Sequence, residues 1–197
     1  MTDTGTSAFA PSFNPLRLST RSTAFKFAAV VLGTLLLAAS SWIEVPMYPV
    51  PVTMQTFAVT LIGALYGWRL GGLTVLAWLG EAAIGMPVLA GGAGGLAHFA
   101  GPTAGYLVAF PFVAALVGWL AERGWSGHNV VRSFTAMLMG NALCLAFGAF
   151  WLSAVIGPEK AIALGVTPFI IGAVLKSALG AATLKLLARN SGGTAQA

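Results

Sequence analysis

The sequence predicts an all-α, multi-spanning membrane protein of six transmembrane helices with both termini on the cytoplasmic side, and three observations predict it. The first is composition: 57% of the 197 residues are hydrophobic and 8% are charged, where a soluble domain carries about a quarter charged residues. With so few charges a globule cannot cover its surface, so the outer surface must face lipid. The mean hydropathy of +0.86 agrees. The second is segregation of charge. No charge lies between Glu44 and Arg69, between Glu81 and Glu122, or between Arg132 and Glu159, and each gap is at least as long as the roughly 20 apolar residues that cross a bilayer. The third is the side bias. With the N-terminus inside, Arg17, Arg21, Lys26, Arg69, Arg123, Arg132, Lys185 and Arg189 fall in cytoplasmic segments, and only Lys160 falls in an outer loop. This is a strong positive-inside pattern. A soluble enzyme does not fit. The net charge of +5 does not point to nucleic acid, because the basic residues are dispersed and form no patch.

Taken in order, residues 1–22 are polar, with Pro11 and Pro15, and read as a disordered cytoplasmic leader; residues 23–189 form the six-helix membrane domain and 190–197 a flexible C-terminal tail. The first helix is expected from Ala24 to Ile43. Basic residues before an apolar run and Ala38-Ala39-Ser40 after it also give this stretch the outline of a signal peptide. Pro46, Pro49 and Pro51 then break any helix. A second helix is expected over Thr53 to Tyr66, a tight turn over Gly67 to Gly72 and a third helix over Leu73 to Ile84, both helices short for full spans. Gly85 to Gly101 is uncharged and glycine-dense; at roughly 1 kcal/mol of lost helix stability per glycine it is a loop that must be capped by protein or line a cavity. The remaining helices are expected over Ala104 to Ala121, Ser133 to Ile156 and Pro168 to Ala188. The proline-rich and glycine-rich loops then share the outer face.

The residue that stands out is Lys176, the one charge placed well inside a span. A lysine at mid-span costs roughly 2.5–3.5 kcal/mol on insertion scales and lies too deep to snorkel easily. Gly172, Ala173, Gly180 and Thr183 share its helix face, which is small and leaves room for a ligand or a close neighbour. Either it pairs with a protein carboxylate or backbone carbonyls, or, since no acidic residue is expected at its depth, it faces an anionic or carbonyl-rich ligand. Gln55 offers an amide with donor and acceptor at the start of the second helix; Thr53 is either a second polar contact or that helix's N-cap. Gly91 and Gly92 are candidates for a backbone-amide cradle, without the Lys-Ser/Thr of a nucleotide loop. Tyr106, Trp78 and Trp151 either line an apolar pocket or belong to an interfacial belt, and Asn141 is a ligand contact or helix–helix glue. Ala24/Ala28 and Ala29/Gly33 put small residues at four-residue spacing on the first helix, a face suited to close helix contact. His98 reads as a loop residue, not a metal ligand, since the other histidine, His128, is on the inner side; the single cysteine, Cys144, reads as a buried, inert thiol. No nucleophile–base pair, metal cluster or ATP-binding motif is visible, so neither a catalytic residue, a metal nor a cofactor is expected.

The segments P-V-P-V-T-M-Q-T (Pro49 to Thr56), G-M-P-V-L-A-G-G-A-G-G-L (Gly85 to Leu96), G-P-T-A-G-Y-L (Gly101 to Leu107) and P-F-I-I-G (Pro168 to Gly172) resemble the BioY family, in matching order over roughly Ala24 to Ala188. The resemblance implies a biotin-binding membrane subunit, the S component, of an energy-coupling factor (ECF) vitamin transporter. It implies a multi-pass protein of the prokaryotic plasma membrane with its site near the outer face, and no enzyme activity. The implied partners are biotin, a transmembrane coupling subunit that docks on the Ala24, Ala28, Ala29 and Gly33 face, paired ATPases and the lipid bilayer. Capture of another small anionic vitamin, uptake without ATPase partners and homo-oligomers stay open. Lys176 matches a basic ligand residue of the family's last helix. The family often has an aspartate three residues before it, where this chain has Ala173, so another polar group or water must complete the hydrogen bonding there.

Overall fold

A computed structural model describes residues 21–127 and 129–193. Most of the expected leader, Arg17 with it, and His128 lie outside those residues. Of the expected tail, 190–193 lie inside and continue the last helix.

Helix α1 (Thr23–Trp42) begins where the Ser22 hydroxyl accepts a hydrogen bond from the Phe25 amide at 3.4 Å, an N-cap that stands in for a missing intrahelical partner. It is followed by a two-stranded antiparallel hairpin, β1 (Glu44–Val45) and β2 (Val52–Thr53), with Glu44 opposite Thr53 and Val45 opposite Val52. The sequence does not announce this pairing. Pro46, Pro49 and Pro51 lack the amide that would extend it, which is why each strand stops at two residues.

Helix α2 (Gln55–Ala83) is interrupted at Gly67, whose φ of 78° and ψ of 175° are far from helical. The chain folds back there. A Cβ placed on Gly71 would lie 3.1 Å from the Gly63 Cα, whereas eight residues along a straight helix are about 12 Å apart. The reversal expected over Gly67 to Gly72 is therefore made by Gly67 alone, and helix resumes at once instead of at Leu73. Glycine suits this conformation, which is close to the one that other residues almost never adopt. The turn is held from outside by α3 (Ala104–Glu122): the Glu122 carboxylate accepts from the Trp68 amide at 3.2 Å.

Between α2 and α3 the glycine-rich segment is a folded loop with two single 3-10 turns, Ala90–Gly92 and Leu96–Phe99. Helix α4 (Val130–Ile156) starts three residues earlier than expected, because the Asn129 side chain accepts from the Arg132 amide at 3.0 Å and caps it. Gly157, at φ 89°, then breaks the chain into a short helix α5 (Pro158–Gly165) that was expected to be loop. Pro158 in its first turn and Glu159 beside the positive end of the helix dipole account for it. Helix α6 (Thr167–Gly193) is the last described element and runs past the expected end at Ala188.

Among the described residues, five helices are long and apolar enough to cross a membrane: α1, α2, α3, α4 and the run 158–189 through α5 and α6. The protein is predominantly helical, with α3 and the two arms of α2 at its centre and α1, α4 and α6 around them. Trp78, Val59, Ile62, Val75, Val113 and Met137 are buried between them, while Phe27, Leu32, Phe150, Ile171 and Leu175 are exposed on the peripheral helices. An apolar exterior of this kind is what a bilayer solvates. The hairpin, the glycine-rich loop and α5 share one end of the bundle, called here the loop end; Gly67 lies at the other.

Candidate ligand-binding site

At the loop end a cavity of about 220 Å³ opens between α2, α3, α4 and α6. Three helices supply one stripe each: Tyr106, Leu107 and Phe110 from α3; Asn141, Cys144 and Leu145 from α4; Phe169, Ala173 and Lys176 from α6. Spacings of three and four residues put each set on a single helix face. Val50 and Pro51 of the hairpin and Leu89, Ala90, Ala93 and His98 of the loop close the mouth, with Thr53, Gln55 and Thr56 between them.

Lys176 lies nine residues beyond Thr167, about 14 Å along the α6 axis. Its side chain runs back along Gly172, where a Cβ would stand 3.8 Å from the lysine Cε. This is the direction that long helical side chains prefer. The ammonium stops short of the surface and donates to the Thr56 hydroxyl at 3.2 Å. Among the described residues no carboxylate lines the cavity, and Ala173, where the family often has an aspartate, forms part of the wall. The cation therefore rests on a neutral partner, and its charge is left for whatever enters. Further along the same face the expected hollow is filled: Gly180 packs against the Met137 thioether.

The other polar groups are already committed. The Gln55 amide donates to Ser41 Oγ at 3.0 Å and accepts from the Thr53 hydroxyl at 3.0 Å, while Thr53 Oγ1 also accepts from the Gln55 backbone amide at 3.3 Å. Thr53 thus both shapes the start of α2 and borders the cavity. Asn141 does two jobs as well. Its Nδ2 donates to the Met137 carbonyl at 3.0 Å and to Ser177 Oγ at 3.2 Å, joining α4 to α6 beside Lys176. Tyr106 donates to the Gly165 carbonyl at 2.8 Å and stacks on Phe169 with centroids 6.2 Å apart. Its ring faces the cavity while its hydroxyl ties α3 to the end of α5.

Lys176, Gln55, Tyr106, Thr53 and Asn141 thus border one cavity. Trp78 does not; it is fully buried behind Phe110 and donates to the Val88 carbonyl at 3.0 Å, holding the loop from below. Trp151 likewise donates to the Gly101 carbonyl at 2.9 Å and is not part of the wall. Gly91 and Gly92 are not among the lining residues either. They occupy left-handed backbone, φ 64° and 73°, and turn towards Glu44 and Trp42, while Ala90 and Ala93 on either side face the cavity. The Gly92 amide is spent on the Leu89 carbonyl at 3.0 Å, so it cannot cradle a ligand. On α1, Ala29 and Gly33 are buried against α2, where Tyr66 donates to the Ala29 carbonyl at 2.8 Å. Of that four-residue face only Ala24 and Ala28 remain exposed.

Thr56, Cys144, Phe110, Phe169 and His98 are wall residues that the sequence did not single out as such. Four of them carry a signal: Phe110 stands four residues from Tyr106, Cys144 three from Asn141, Phe169 seven from Lys176, and Thr56 closes a segment notable for its prolines and glutamine. His98 carries none, because nothing in a loop's sequence says which way it folds over.

Known proteins resemble this chain in sequence and fold. The sequence profile of the BioY family matches residues 14–192. A probable biotin transporter BioY of Pyrococcus horikoshii is 40% identical over 76% of this chain and 87% of its own length. A biotin transporter BioY of Rhizobium etli is 42% identical over 79% and 85%. A crystal structure of the S-component for biotin from an ECF-type ABC transporter superposes with a TM-score of 0.74 at 27% identity, covering 86% of this chain and 95% of that one. Profile, relatives and fold agree with the four segments from which the resemblance was read, and the chain belongs to the BioY family.

Proposed function

We propose that this chain is a biotin-uptake protein, a non-enzymatic S component that captures the vitamin for an ECF-type transporter. The observation that carries the reading is a cavity with an aromatic wall and one lysine held by a neutral hydroxyl, in a chain whose relatives are biotin transporters. Biotin's chemistry suits it: a thiophane ring for Tyr106, Phe110 and Phe169, a ureido group for amide and hydroxyl partners, and a valerate carboxylate that favours a cation. Lys176, Thr53, Gln55, Tyr106 and Asn141 are the proposed contacts, joined by Thr56. No cofactor and no metal are part of the proposal.

The proposed topology has six spans with both termini in the cytoplasm. The reversal at Gly67, which divides α2 into two arms, supports the count, and the basic-residue bias supports the orientation. The loop end then faces outward in a prokaryotic plasma membrane. The coupling subunit and ATPases are proposed partners, with Ala24 and Ala28 on the exposed part of α1 available for contact. Uptake without those partners and self-association are alternatives that reconstitution would distinguish.

Purified protein in detergent should bind biotin with sub-micromolar affinity, and Lys176→Ala should weaken binding at least about ten-fold, the scale of one charge-assisted hydrogen bond. Undetectable binding by monodisperse protein refutes the reading. Because Ala173 takes the place of an acidic residue, a different small anionic vitamin is the second reading. A thermal-shift screen across vitamins separates the two, since only a bound ligand raises apparent stability.

A further inference from the structure

Among the described residues, two basic side chains border the cavity, Lys176 in its wall and His98 at its mouth, and no carboxylate does. His98 sits on the 3-10 turn Leu96–Phe99. That turn is fixed in place: just before it the Gly95 amide donates to the Ala82 carbonyl of α2 at 2.7 Å, and the His98 amide donates back to the Gly95 carbonyl at 3.3 Å. The backbone that carries His98 is thus fixed at the mouth. Imidazole is the side-chain type that gains a positive charge between about pH 8 and pH 5, while alkyl carboxylates stay ionised through nearly all of that interval. A second cation in a cavity without counter-charge raises the potential felt by any anion inside it, wherever along the cavity its carboxylate lies.

We propose that His98 is a charge-specificity residue of the ligand site: protonated, it makes the cavity doubly cationic and selects carboxylate-bearing ligands over their neutral analogues. The proposal rests on the biotin reading for its ligand. It makes capture from an acidic exterior tighter for the acid and leaves an uncharged analogue indifferent. Other titratable groups are near. Lys176, Tyr106 and Cys144 line the same cavity, Glu81 is near the end of α2 against which the turn packs, and Glu44 lies beside Gly91. The test has to separate His98 from them.

Equilibrium binding of biotin and of biotinamide to the full chain in detergent, from about pH 8 down to about pH 5.5, does so. The biotin-to-biotinamide affinity ratio should rise roughly three- to ten-fold as pH falls, the size expected for one added charge several ångströms away in a partly screened site. In His98→Gln the ratio should be low and flat, and in His98→Lys high and flat; His98→Asn serves if the glutamine variant does not elute as folded protein. A pH-independent ratio in the wild type, or a rise that survives in His98→Gln, overturns the proposal, the latter by moving the effect to another group. Biotin bound with a flat ratio leaves the ligand assignment standing and removes only the role of His98. If neither compound binds at any pH, the ligand assignment falls, and this proposal with it.

Discussion

The two ends of the bundle are both rich in glycine, and a second use of it, backbone freedom, is prominent at the loop end. At the Gly67 end, Gly63, Gly71 and Gly118 have helical backbone, and a Cβ on any of them would press into the backbone of a neighbouring helix. What they supply is the absence of a side chain. At the loop end, a Cβ on Gly85 or Gly95 would meet nothing within 4 Å, but their φ angles are 97° and 100°. What they supply is a backbone conformation closed to other residues. Gly67 combines the two, with φ 78° and the Glu122 carboxylate where its Cβ would be. The same amino acid thus seals a packing seam at the Gly67 end and, at the other, folds the lid that closes the mouth of the cavity.

That contrast breaks if substitutions at the two ends behave alike. The largest effect should come from Gly118→Ala, whose Cβ meets the Trp68 amide and the Gly63 carbonyl. Overpacking against backbone should cost about 3 kcal/mol, read as a large loss of thermal stability with or without biotin. Next, Thr56→Val at the loop end removes the hydroxyl that holds Lys176 and should cost about 1.5 kcal/mol. Here the empty protein should lose more melting temperature than the biotin-loaded one, and equal losses would show that the ligand does not take over the ammonium. The smallest effects belong to the lid. Gly95→Ala should cost about 1 kcal/mol through backbone strain alone and weaken biotin binding several-fold with little change in melting temperature. Gly91→Asn, in a left-handed conformation that asparagine tolerates, should cost only a few tenths. If Gly95→Ala melts the bundle as Gly118→Ala does, the lid is part of the packing seam after all.

Much of this was legible in the sequence, for reasons that differ by element. Long apolar runs bounded by charges mark α1, α3, α4 and α6 because lipid demands unbroken helix and penalises charge. The cost of burying Lys176 marks the candidate site, since an intramembrane amine is by default a functional-site hypothesis. What escaped was local or tertiary. Two-residue strands and the eight-residue α5 are too short for any period to reveal. The Asn129 cap moved the start of α4, and Gly67 reverses α2 without the six-residue turn that a glycine cluster suggests. In the site, helical wall residues follow from spacing once one member is known. Which loop residues face inward depends on the fold of the loop itself: Gly91 and Gly92 turn away, and Ala90, Ala93 and His98 turn in.

The hydrogen bond between Lys176 and Thr56 also bears on how the site empties. A lysine paired with a carboxylate would be neutralised at rest, and an arriving anion would have to displace a charge. A hydroxyl competes only weakly, so under the proposed function the Thr56 hydroxyl would yield the ammonium on arrival and reclaim it on departure. On that reading Thr56 is a placeholder: it keeps the amine from standing bare in the wall without cancelling its charge.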